Sequence, residues 1–162
     1  MRIKFLSTLF FVLAALSIQG ISQKIGFDRP AFYSALSSDD IDQVNKQLTL
    51  LNSSSFDEKE AYEGALLMKK AGLVSKAKEK LSLFKSGRKK LEASIKKDSD
   101  NTEYCFLRLI IQEHAPKMVD YKGQLEHDNK IIRSNFKTLS PVIQQAILDY
   151  SKKSKILTGL QP

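Results

Sequence analysis

The chain has 162 residues, a formal net charge of +8, 42% hydrophobic residues and no tryptophan. That length suffices for one domain with a buried core, and the basic balance suits an anionic partner better than a cationic one. One cysteine excludes an internal disulfide, and two histidines leave little material for metal or imidazole chemistry.

The first four residues carry Arg2 and Lys4, and residues 5–18 are apolar apart from Ser and Thr. The run stops at Gln19-Gly20-Ile21-Ser22-Gln23. This layout predicts a signal peptide over residues 1–22, cleaved after Ser22, with Gly20 and Ser22 as the small residues at the cleavage site. The expected location is periplasmic or secreted, with retention of the leader as an anchor the alternative. The run is shorter than the ~20 residues a spanning helix needs, so no transmembrane segment is expected in the mature chain. No cysteine stands near the site to carry a lipid. Residues 23–155 read as a single helical domain and residues 156–162 as a frayed tail.

Asp28-Arg29-Pro30 predicts a helix start with Asp28 as N-cap. Ser38 is expected to cap a second helix with Ile41, Val44, Leu48 and Leu51 on one face. Ser55-Phe-Asp-Glu58 has capping-box spacing and opens a third helix, which stops at Gly72. Ser75 and Glu79 open a longer fourth helix with Ala77, Leu81, Phe84, Leu91 and Ile95 inward. Thr102 starts a fifth helix that ends before Pro116. Its Tyr104, Phe106, Leu107, Leu109, Ile110 and Ile111 make it apolar nearly all round, so it should be covered on both sides. Leu125, Ile132, Phe136 and Leu139 outline a sixth helix. Ser140-Pro141 begins the last, with Ile143, Ala146, Ile147 and Tyr150 inward. Short loops force antiparallel neighbours, so the expected fold is all-α: helical hairpins packed as a short array or bundle.

Residues 61–68 (AYEGALLM) and 91–104 (LEASIKKDSDNTEY) resemble tetratricopeptide helix pairs. Ser99 stands where those repeats usually place proline, and the long fourth helix departs from their period. Residues 81–88 (LSLFKSGR) with 103–112 (EYCFLRLIIQ) resemble small exported helical proteins of Bacteroidetes-type bacteria. That resemblance implies fold and source and carries no activity.

Glu113-His114 and Glu126-His127 are the candidate chemistry-bearing pairs. Imidazole and carboxylate together suit Zn, Fe or Ni. Adjacent helical residues point about 100° apart, however, so such a dipeptide does not chelate one ion. The plainer reading is solvated histidine, with His114 at a helix C-terminus helping the dipole. No nucleophile elbow or phosphate-binding glycine loop occurs. No catalytic residue, metal ligand or cofactor is assigned.

Arg88 falls within the inward stripe of the fourth helix and is expected to form a structural ion pair with Glu58. Cys105 reads as a small buried hydrophobe. Residues 69–97 hold eleven Lys or Arg against Glu79 and Glu92, whereas residues 38–65 hold seven acids against two lysines. The lysines read as a solvated face, partly neutralised by the acidic segment. An anionic surface is the alternative partner. Export and the lack of interleaved aromatics disfavour nucleic acid.

Together these features predict an exported non-enzymatic module that binds or scaffolds an unknown protein partner. One alternative is a metal-dependent or hydrolytic enzyme using the Glu-His pairs. Another is an envelope-associated protein held on anionic surfaces by its lysine-rich helix.

Overall fold

The computed structural model describes residues 27–160, which form seven α-helices and no strand. The expected leader, residues 1–22, lies outside the described residues. The helices are α1 (Arg29–Ser37), α2 (Ile41–Ser53), α3 (Lys59–Leu73), α4 (Ala77–Lys97), α5 (Thr102–His114), α6 (Leu125–Asn135) and α7 (Pro141–Ser151). Two short 3-10 turns lie at Lys117–Val119 and Phe136–Thr138. No described helix is long and apolar enough to cross a membrane.

Side-chain caps account for three of the seven helix starts. The Asp28 carboxylate accepts from the Ala31 N–H at 3.0 Å, and Pro30 sits in the first turn of α1. Asn101 accepts from the Tyr104 N–H at 3.1 Å at the start of α5. The cap of α2 is Asp40 rather than Ser38, whose hydroxyl accepts from the Asp40 N–H. The expected capping box at Ser55 does not form. Residues 57 and 58 make a turn, and α3 begins at Lys59 without a side-chain cap bond. Gly72 lies inside α3, which runs on to Leu73.

Helix α5 divides the interior, with every residue from Thr102 to Leu109 buried. Tyr104, Leu107 and Ile111 face a core built with α1 to α4. Cys105, Phe106 and Leu109 face a second core built with α6, α7 and Leu157. The covered central helix expected from its apolar circumference is present. Helices α5 and α6 run antiparallel, with Gln112 bonded to Gln124, Arg108 to Asp128 and Thr102 to Asn135.

Helices α3 and α4 meet backbone to backbone. A Cβ added to Gly87 would stand 2.5 Å from the Gly64 carbonyl oxygen, and one on Gly64 would stand 2.7 Å from that of Gly87. Lys90 extends the antiparallel register by pairing with Glu63 at 2.9 Å and Glu60 at 3.1 Å.

The tail beyond Lys155 is packed, not frayed, through residue 160. Leu157 is fully buried, and the Arg133 guanidinium donates to the carbonyls of Ile156 and Thr158. Burial of one leucine side chain supplies roughly 1.5–3 kcal/mol towards holding this segment.

Candidate functional site

Three charged clusters lie inside the fold. In the first, Arg108 of α5 grips Asp128 of α6 with two hydrogen bonds, at 2.7 and 2.8 Å, and reaches Glu92 of α4 at 3.1 Å. Asp128 is completely buried. Desolvation pushes its carboxyl above the ordinary aspartate value, although the guanidinium pulls the other way. The Tyr121 hydroxyl donates to Glu92, and burial followed by that carboxylate raises its phenol. Arg88 lies over the Tyr121 ring at 4.7 Å from the centroid. A cleft of about 320 Å³ opens beside this cluster, between α4, α5 and the loop holding Asp120 and Gly123.

In the second cluster, the buried Glu103 carboxylate accepts from Tyr62 at 2.8 Å, Tyr33 at 2.9 Å and Arg29 at 3.3 Å. This ties α1, α3 and α5 together beneath the Phe27, Phe32 and Phe56 rings. In the third, Glu113 accepts from the Ser154 hydroxyl at 2.7 Å, the Lys155 N–H at 2.6 Å and Tyr150 at 2.9 Å. Burial alone would raise the Glu113 carboxyl, but these donors, with His114 nearby, outweigh it and hold it below the ordinary glutamate value.

The candidate residues are thus dispersed. Glu113 latches the C-terminal segment, and His114 meets the Tyr150 hydroxyl at 3.2 Å. Glu126 and His127 are exposed on α6. No three His, Cys, Asp or Glu side chains among the described residues converge where a metal ion would sit. Ser154 is not arranged as a nucleophile. Its hydroxyl donates to Glu113 and accepts the N–H groups of Ile156 and Leu157, which exhausts it. Cys105 is buried, and burial together with the Asp128 carboxylate raises its thiol to about 12, so it carries no reactive thiolate.

Arg88 and Glu58 form no ion pair, which corrects the expectation for them. The stripe that placed Arg88 inward included Ala77 and Leu81, and both are exposed. The buried row of α4 is instead Phe84, Gly87, Leu91, Ser94 and Ile95. Contact through Gly87 turns Arg88 outward and towards Tyr121. Lys90, two residues on, is the residue that bridges α4 to the acids of α3.

The Arg108 cluster went unread in the sequence, although a signal was there. Arg108 is the one charged residue in the run from Tyr104 to Ile111, which is otherwise apolar, and a charge so placed requires a partner. Its partner Asp128 carried no comparable mark.

The outward face of α4 behaves differently from these clusters. Lys78, Lys85, Lys89 and Lys96 are all exposed, and none forms an ion pair among the described residues. An open hollow of about 380 Å³ lies at the start of the helix, lined by Lys76, Lys78, Glu79, Ser82 and Leu83. Comparison of the chain with protein-family models, with curated proteins and with solved structures finds no match. Function is therefore read from the side chains themselves.

Proposed function

We propose that this chain is an exported, non-enzymatic helical binding module that engages its partner through the outward face of α4. One contrast carries the reading. The three buried charge clusters are compensated from within, while α4 presents six exposed lysines without a counter-charge, Lys78, Lys85, Lys89 and Lys96 among them on one face. Groups that only hold one another in place serve the fold, and groups left uncompensated at the surface are available to a partner. The charged start, apolar run and small residues over 1–22 support export. The antiparallel α3–α4 and α5–α6 pairs support a short tetratricopeptide-like array that exposes one helix as a recognition surface.

The test uses the full chain, immobilised and exposed to a cell-envelope fraction. The wild type and a His114→Ala, His127→Ala variant should retain the same bound material. A variant with Lys78, Lys85, Lys89 and Lys96 changed to Glu should release it. Undiminished retention by the charge-reversed variant would overturn the reading.

A further inference from the structure

Six lysines of α4 are exposed and form no ion pair among the described residues, and four of them, Lys78, Lys85, Lys89 and Lys96, stand at intervals of 7, 4 and 7 residues. At 3.6 residues per turn these steps return to nearly the same angle, so the four side chains leave the helix within about 40° of one another. They form a single file about 27 Å long at a rise of 1.5 Å per residue. Along the same face stand the exposed Leu81, Ser82, Ser86 and Ala93 and the half-buried Glu92. The structure sorts the remaining basic residues of the middle of the helix away from this file. Lys90 is bound by Glu60 and Glu63, and Arg88 lies on Tyr121.

We infer that this file is a docking track for a linear anionic polysaccharide, which rests on the proposed role of α4 as the binding face. A bilayer is a plane and is held by an apolar face with several aromatic or leucine anchors, whereas Leu81 is the one large apolar side chain α4 exposes. A nucleic acid presents phosphates more densely than the lysines are spaced, and its bases call for aromatic platforms that the track lacks. Lysine is a hydrated point charge suited to dispersed carboxylates or sulfates, not to bidentate phosphate recognition. Gaps of about 6 and 10.5 Å along the helix suit a chain with charges separated by one or two sugar rings. The hollow at Lys78 fits the same ligand. Leu83 supplies an apolar floor, while Ser82 and Glu79 offer acceptors for hydroxyl groups.

The experiment measures binding of polygalacturonate to the full chain at low and moderate salt. Neutral dextran, polyglutamate, duplex DNA and anionic phosphatidylglycerol vesicles are run in parallel. Changing Lys78, Lys85, Lys89 and Lys96 to Gln should weaken polygalacturonate binding by about ten-fold or more and flatten its salt dependence. Changing the exposed Lys46, Lys117, Lys130 and Lys137 to Gln, an equal loss of charge on other elements, should alter it by less than about two-fold. Thermal melts of both variants report that each is folded. Equal losses in the two variants, or no binding of polygalacturonate, overturn the track. If vesicles, DNA or polyglutamate bind through the same four lysines and polygalacturonate does not, the glycan inference fails while α4 stands as the binding face. Release of new reducing ends from polygalacturonate would instead overturn the non-enzymatic reading and leave the track in place.

Discussion

Arg108 holds the fully buried Asp128 through two hydrogen bonds, so removing one charge strands the other. Asp128→Ala is expected to lower stability by about 3–5 kcal/mol, read as a shift of the urea midpoint. The double change Arg108→Met with Asp128→Leu should cost less than the single one, because no buried charge is then left unpaired. Glu113 makes the matching prediction for pH. Its folded carboxyl lies below the unfolded glutamate value of about 4.3, so its contribution is fully present above that pH. The contribution is lost as pH falls through the depressed folded value, when the protonated carboxyl holds its donors less well. Hydrogen exchange should therefore show the amides of Lys155, Ile156 and Leu157 losing protection in acid ahead of the α5 core. Glu113→Ala should remove that pH dependence.

At the scale of elements, the α3–α4 crossing depends on two glycines. A methyl at residue 87 would meet the Gly64 carbonyl oxygen at 2.5 Å and the Met68 nitrogen at 2.9 Å, both backbone atoms that move only with their helix. Gly87→Ala should therefore destabilise by about 1–3 kcal/mol or more despite alanine's better helix propensity. Gly72 is the control. It lies inside α3, and a methyl added there would meet nothing within 4 Å, so Gly72→Ala should stabilise by roughly 0.5–1 kcal/mol. Thermal denaturation of the two variants should move in opposite directions. The same crossing explains why the amphipathic reading of α4 holds for Phe84, Leu91 and Ile95 and fails for Ala77, Leu81 and Arg88. Glycine carries no hydrophobic signal, so a close backbone contact is silent to a pattern of apolar residues. Exposed Leu81 and Ala77 were then counted as core.

For the whole molecule, the two cores on either side of α5 place the basic outer face of α4 and the latched C-terminal segment in one folded unit. Export predicts that the protein recovered outside the cytoplasm begins at Gln23. Its intact mass decides this, and an uncut chain beginning at Met1 or another first residue would contradict cleavage after Ser22. The residues alone determined the all-α class, the order of seven helices, the cap at Asp28 and the burial of α5. Those features follow from local periodicity and from hydrogen bonds within a few residues. Only the tertiary structure decided that Arg88 turns to Tyr121, that Arg108 finds Asp128 twenty residues away, and that Leu157 anchors the tail. It also decided which lysines of α4 remain unpaired. Each of these depends on which distant groups share a small volume, and for Arg88 and the lysines of α4 the helix rotation set by Gly64 against Gly87 selects them.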